Sequence, residues 1–482
     1  MRYEDLLEKK EAKQIELIKY VLQVGGSERI QVLTKELNVS KASLEGYIED
    51  LNDTLSTFQH QITIFYDGQI VMFTLAPECS IRCIEEKIYK QAIKYQILMY
   101  LYEHTEYTVV LLTQELGMSE STVFRKIKEL NHLLKEFEIE IWQGKLVGEE
   151  SQIRYFYYCF FSSLNILPKD MISRNRMDFI RLIESGLSIT LSPLSIEHIE
   201  LWLSIAKKRI NVPNQQFKQF RKQFKAYERD PYFKLISSMV IRVLGYYAID
   251  INEEESMIHF AFLVSFDILS PSDFYQYDIL RSRFTPTAIV DTFILETIIL
   301  DYRPLVLSHD LESQVYYYLS RIHSRLYFFK GNIDILSLPF IWESEKTWSA
   351  RVLKPEVERL FNEVVNRLPY DKKDSLADLT KLTYLNILAI IDGEINMDIK
   401  VGIDLHLEDV FKEGTYQRIK AFVDKLNGVN CQLYYPEKDY DLVISNREYL
   451  KYKCRVYVIT ELGTTYDLNN IIEVIREISL VK

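Results

Sequence analysis

A chain of 482 residues is too long for one hydrophobic core, so three to five domains are expected. Its mix of 48% hydrophobic and 26% charged residues reads as globular and excludes a disordered or fibrous chain. A net charge of −11 excludes a general polyanion binder but leaves room for a local basic face. Gly and Pro are scarce, at 15 and 12, which favours a mostly α multidomain protein. The start, MRYEDLLEKKEAKQ, has no apolar signal core. The most apolar stretch, MIHFAFLVSFDIL, is broken by His259 and Asp267 and is too short to span a bilayer. Cys79, Cys83, Cys159, Cys431 and Cys454 show no zinc pattern, so reduced thiols, a cytoplasmic location, no metal and no cofactor are expected.

Residues 1–76 and 77–155 each predict a winged helix-turn-helix. The stretch LTKELNVSKASLEGYIEDLN, Leu33 to Asn52, recurs as LTQELGMSESTVFRKIKELN, Leu112 to Asn131, with eight of twenty positions identical. In each copy a short helix, near Gln31–Asn38 or Thr108–Gly117, ends in a tight turn. A second helix then starts at a serine suited to an N-cap, Ser40 or Ser119. Leu44, Ile48 and Leu51, and likewise Val123, Ile127 and Leu130, form the apolar stripe of that helix. A β-hairpin follows each copy, turning at Asp67-Gly68 in the first and at Gly144-Lys145 in the second.

The two copies differ in charge. Where the first has Glu45, Gly46, Tyr47 and Glu49, the second has Phe124, Arg125, Lys126 and Lys128. Double-stranded DNA needs Lys, Arg or hydroxyl donors at its phosphates, and base edges are read best by Arg, Asn, Gln, Ser and Thr. Residues 1–150 hold 17 Lys and Arg against 25 Asp and Glu, so any DNA contact must be concentrated. The second copy is the expected reader, through Ser119, Ser121, Thr122, Arg125, Lys126 and Lys128. In the first copy Lys35, Ser40, Lys41 and Ser43 are left to touch backbone, or the helix serves packing alone.

Residues 156–280 and 281–392 predict two related all-α blocks. The stretch SPLSIEHIELWLSIAKKRINVPN reads as a helix capped by Ser195, with Ile199, Leu203, Ala206 and Ile210 on one stripe. A similar helix lies in LESQVYYYLSRIHSRLYFFKGN, and both carry a histidine, His198 and His323. The boundary between the blocks is placed between LSPSDF and SRFTPT. No Ser–His–Asp order and no paired carboxylates define an active site, so no enzyme is expected. Residues 393–482 alternate strand and helix, which predicts a small α/β domain with a parallel core. Its last helix is expected to leave Ile471, Ile472, Val474 and Ile475 partly exposed for self-association.

This order of domains resembles the Mga/AtxA-like family of virulence transcription regulators of Gram-positive bacteria. The resemblance covers the whole chain and rests on LTQELGMSESTVFRKIKELN, LSPLSIEHIELWLSIAKKRI, LSRIHSRLYFFKGN and the C-terminal strands. It implies that the helical blocks are PRD domains, the regulatory domains of the sugar phosphotransferase system, whose phosphocarrier proteins phosphorylate histidines. His198, His259 and His323 are the matching candidates, with His309 outside the helical pattern and no evident later histidine in the second block. It also implies that the C-terminal domain is similar to the phosphotransferase enzyme II B component, which carries a cysteine after its first strand. The loop DLHLEDVFKEG has none, which favours a homodimer contact over phosphoryl transfer. The expected function is a DNA-binding transcription regulator tuned by histidine phosphorylation and dimerisation. An RNA-binding antiterminator and a sugar phosphotransferase phosphocarrier are the alternatives.

Overall fold

The computed structural model describes residues 1–58, 62–77, 79–164, 174–246, 253–302, 307–333, 348–368, 376–394, 399–424, 426, 428–447, 452–460 and 462–479. Among the described residues the chain is mostly helical, and it divides into two compact units. The first is Met1–Ser270 with described residues from Arg325 to Ile333 and at 376–377; the second holds most of the remainder.

The first winged helix comprises α1 (Lys9–Gln23), α2 (Ile30–Glu36) and α3 (Lys41–Leu55), with strands β1 (Ser27–Arg29), β2 (Ile62–Tyr66) and β3 (Ile70–Leu75). The strands form an antiparallel sheet in the order β1-β3-β2. Ser40 caps α3, its hydroxyl accepting the Ser43 amide at 3.1 Å. Leu44, Ile48, Leu51 and Leu55 follow the 3.6-residue period and bury against α1 and the sheet.

The second winged helix adds α4 (Ile81–Gln91), α5 (Ile93–His104), α6 (Val109–Leu116), α7 (Glu120–Leu134), β4 (Glu140–Trp142) and β5 (Lys145–Val147). Its wing turns at Gln143-Gly144, not at Gly144-Lys145 as expected, because Lys145 already pairs with Trp142. Both turn residues have positive φ, 48° and 77°, the conformation that suits strand twist in a two-residue hairpin. A Cβ on Gly144 would lie 2.1 Å from the Tyr107 carbonyl oxygen, so only glycine fits there.

Helix α8 (Glu150–Leu164) overturns the domain boundary expected at 155/156, which would cut it in two. Every residue from Glu150 to Phe161 is buried. Phe156 and Phe160 pack toward the winged helices, on Phe137 and Tyr95. Tyr155 and Tyr158 face the helical block, stacking on Phe329 and meeting Phe266 edge-on. A helix that is apolar all round must be covered on all sides, so α8 is core to both domains at once.

The first helical block continues with α9 (Arg174–Leu187), α10 (Pro193–Arg209), α11 (Lys218–Phe224), α12 (Pro231–Tyr246) and α13 (Glu253–Ser265). The cap of α10 is Ser192, followed by Pro193, rather than Ser195, which sits inside the first turn and donates its amide to Ser192. Leu201, Trp202, Ile205 and Arg209 are buried besides Ile199 and Ala206, a wider face than the expected stripe.

The second unit holds α14 (Pro271–Leu280), α15 (Pro286–Asp301), most of α16 (His309–Phe328), α17 (Trp348–Arg367) and α18 (Leu376–Glu394). The break falls at 270/271 instead of 280/281, because Phe274 of α14 packs on Tyr316 and Tyr317 of α16. It lies within the LSPSDF–SRFTPT window.

Strands β6 (Ile399–Asp404), β7 (Val429–Leu433), β8 (Leu442–Ser445) and β9 (Arg455–Val458) form an all-parallel sheet in the order β7-β6-β8-β9, with α19 (Asp409–Val423) and α20 (Thr465–Ser479). The expected exposure of α20 is wrong. Ile471 and Ile475 join the core made by Ile399, Val401 and Ile403, Ile472 is also buried, and Val474 packs at the edge. Because α20 contacts both β6 and α19, it needs more than one apolar stripe. The dimer expected from that helix face loses its stated basis.

Candidate nucleic-acid interface and histidine sites

On α7 the apolar stripe of Val123, Ile127, Leu130 and Leu134 faces inward. The opposite face presents Ser121, Phe124, Arg125 and Lys128, all exposed, at the i, i+3, i+4, i+7 spacing of one helix side. Arg125 is 67% exposed and reaches Glu129 only at 4.0 Å. Lys128 makes no ion pair among the described residues. Ser119 is exposed and caps the helix by accepting the Thr122 amide at 3.3 Å. Its hydroxyl also lies 3.0 Å from those of Ser121 and Thr122, a three-hydroxyl cluster at the helix start. Glu120 stands exposed beside them as the counter-charge of this end.

Lys126 departs from expectation. It is 4% exposed, and its ammonium binds Glu8 at 2.7 Å and Glu129 at 2.9 Å. Burial alone would lower its pKa; hydrogen bonds and charge from the two carboxylates outweigh that and raise it. Lys126 is therefore a fastener between α7 and the N-terminal segment, not a surface cation. The residue is on the polar side of the sequence pattern, and only the arrival of Glu8 shows why it is buried.

The first copy offers less. On α3 the equivalent side carries Ala42, Glu45, Gly46 and Glu49. Lys41 leans on Glu45 at 3.7 Å, and Glu45 also accepts from the Tyr66 hydroxyl at 2.8 Å. Lys35 and Ser43 are exposed, and Ser43 shares its hydroxyl with Ser40 at 2.8 Å. The two copies also hold their wings differently: Asn131 clamps β4 with two hydrogen bonds to the Ile141 backbone, at 2.7 and 3.0 Å.

The three candidate histidines occupy three different environments. His198 is half-buried on α10, with the Tyr158 hydroxyl 2.8 Å from Nδ1. His259 is buried on α13 and accepts the Trp202 indole N–H at Nδ1, 3.0 Å away, which assigns its proton to Nε2 in the neutral ring. His323 is fully buried on α16, with Nδ1 2.5 Å from Asp291 and Nε2 2.5 Å from the Tyr384 hydroxyl. His309 is exposed at the start of α16.

Burial pushes the His259 pKa down to about 4; Glu255 opposes this in part and Arg154 reinforces it. That value lies below the ordinary 6.5, so as pH falls the unfolded chain takes up its proton first. The stability contribution is complete above about pH 6.5 and declines through the window down to about pH 4, by on the order of 3 kcal/mol. A His259→Gln variant is expected to lose this part of the acid sensitivity. Urea unfolding of parent and variant at pH 7 and pH 5 checks it; equal acid losses in both would count against the assignment.

Sequence reasoning missed the charges that surround these rings. Arg209, Glu150, Arg154 and Glu255 form a buried chain of ion pairs in the first unit. Arg281 pairs with Asp291 at 2.7 Å beneath His323. A charged residue inside an otherwise apolar run, such as Arg154 in IRYFYYCFF, is the signal that could have found the first of them. Among the described residues no cluster of His, Cys, Asp and Glu is arranged to hold a metal, and no helix is long and apolar enough to cross a membrane.

Two helix-turn-helix units, each followed by a β-wing, with an exposed cationic face on one second helix, define the class as a winged helix-turn-helix protein. Residues 77–161 match the Mga helix-turn-helix domain, a span that takes in α4 to α7, the second wing and most of α8. A Streptococcus pneumoniae serotype 4 (strain ATCC BAA-334 / TIGR4) protein named "Putative trans-acting regulator" is 24% identical over 161 residues. The aligned part spans 33% of this chain and 32% of that protein. Over residues 77–161 the chain is thus similar to the Mga-like regulators.

Proposed function

We propose that the protein is a DNA-binding transcription regulator whose second winged helix reads duplex DNA. The observation that carries this reading is the exposed Ser121–Arg125–Lys128 face of α7, within the residues that match the Mga helix-turn-helix domain. Cations at that spacing can follow a phosphate backbone, and arginine can also bond guanine in the major groove. On α3 the same side would repel phosphate through Glu45 and Glu49. The double variant Arg125→Ala/Lys128→Ala is expected to weaken duplex binding and to lower the salt slope by about 2, one for each lost contact. The double variant Glu45→Ala/Glu49→Ala is expected to bind equally or slightly better. Fluorescence anisotropy at several salt concentrations, with single-stranded RNA as a competitor, measures both. Reversed effects would make α3 the reader; a preference for RNA would favour the antiterminator.

The helical blocks fit a regulatory role of the PRD type, with His198 as the phosphoryl acceptor. Support comes from accessibility: His198 is half-buried, whereas His259 and His323 are enclosed. Phosphorylation adds about −1.5 to −2 charges at a position facing Tyr158 of α8, the helix shared with the winged domain. Labelled phosphoenolpyruvate with purified phosphocarrier proteins is expected to label the full chain. The label should vanish in His198→Ala and persist in His259→Gln and His323→Gln. Label that persists in His198→Ala would move or remove the site.

A further inference from the structure

We propose that Phe124 is a specificity residue that packs against thymine 5-methyl groups in the major groove. This rests on the DNA-binding reading above. Phe124 is 55% exposed, on the outward side of α7, one turn after Ser121 and one turn before Lys128, with Arg125 beside it. A lone exposed aromatic is ordinary on a protein surface. Its placement sets it apart. The aligned residue of the first copy is Glu45, held by Lys41 and Tyr66. In the second copy that carboxylate is replaced by an uncharged ring, on the face that also replaces Glu49 with Lys128.

The residues of a second helix that reach base edges lie in its first turns, and Phe124 is the fifth residue of α7. A phenyl ring carries no hydrogen-bond donor or acceptor. What it can distinguish on a base edge is the thymine methyl, the apolar feature of the major-groove pattern. The flanking Arg125 and Lys128 commit the occupant to a polyanion, because a protein partner for an apolar ring does not require cations on either side. Arg125 and Ser121 supply the polar readout next to it, so the face combines one apolar reader with hydrogen-bonding neighbours.

The test uses the full chain and a duplex selected by it from a random-sequence library. Each thymine of that duplex is then replaced in turn by deoxyuridine, which removes only the methyl group. At one or two positions the substitution is expected to weaken parent binding about three- to fivefold, the worth of one buried methyl-sized group. Phe124→Ala is expected to bind the thymine duplex more weakly by a similar factor and to be indifferent to deoxyuridine at those positions. Phe124→Leu should retain part of the discrimination, and circular dichroism checks that both variants are folded. The proposal is overturned if the parent is indifferent to every replacement, or if Phe124→Ala keeps the same penalty. It is also overturned if Phe124→Ala alters only self-association in sedimentation, which would make the ring a protein contact. Failure to select any duplex would remove the DNA-binding reading as well, whereas salt-dependent binding without methyl dependence removes this proposal alone.

Discussion

Arg154→Leu is expected to destabilise the first unit by about 3–5 kcal/mol, the cost of leaving a buried charge without its partner. Arg154 donates from Nε to Glu150 at 2.9 Å and from its two terminal nitrogens to both oxygens of Glu255, at 2.8 and 2.6 Å. Arg209 holds Glu150 in turn, at 3.1 and 2.7 Å. Both glutamates are held by arginine, so removing Arg154 takes from buried Glu255 its bidentate partner. The strength of the pairing shows in Glu255: burial would raise its pKa, yet Arg154 holds it below the usual carboxylate value. Hydrogen exchange should show faster opening of α8, α10 and α13 together, by about two to four orders of magnitude. Lys90→Ala is the control. That side chain is 51% exposed and its partner Glu86 36%, so its loss should cost no more than about 1 kcal/mol. Unchanged protection in Arg154→Leu would mean that aromatic packing alone fastens α8 to the helical block.

Asp291→Ala is expected to have an effect of the same size in the second unit. Asp291 sits between Arg281 and His323, all three buried, and Arg281 lowers its pKa against the opposing pull of burial. Arg281 also donates to Ser320 at 2.8 Å and to Thr287 at 2.7 Å, but neither hydroxyl can neutralise it. Without Asp291 the buried guanidinium loses this ion pair, at about 3–5 kcal/mol. His323→Phe leaves that ion pair intact and should cost about 1–3 kcal/mol from the hydrogen bonds it breaks. Tyr384→Phe should cost about 1 kcal/mol. Hydrogen exchange of α15, α16 and α18 should follow this order, and a larger effect of His323→Phe than of Asp291→Ala would refute the charge argument. The same geometry bears on regulation: with both ring nitrogens engaged, His323 can take a phosphoryl group only after this network opens.

Local pattern was enough for much of the architecture. The Ser40 and Ser119 caps, the apolar stripes of α3 and α7, and the parallel C-terminal sheet all follow from short-range rules. Those rules are capping chemistry, a 3.6-residue period, and alternation of strand with helix. They depend on neighbours within a few residues, so one chain is sufficient to read them. The contrast of charge between Glu45–Glu49 and Arg125–Lys128 was equally legible, and so was the absence of cysteine after β6.

What depended on distant residues was decided only by tertiary structure. Lys126 and Lys128 look alike two positions apart, yet Glu8, remote in sequence, arrives beside one and makes it a buried fastener. Asn52 and Asn131 are the same residue of the repeat, and among the described residues only Asn131 meets a strand it clamps. Ile472 and Val474 seemed surplus on a terminal helix until α19 and β6 supplied the surfaces that cover α20. His198, His259 and His323 are equivalent as letters. They differ because Tyr158, Trp202, and the Asp291–Tyr384 pair come to them from other helices. Burial and charge partners are set by which elements converge. That convergence separates an exposed reader from a fastener, and an accessible histidine from an enclosed one, where spacing along the chain cannot.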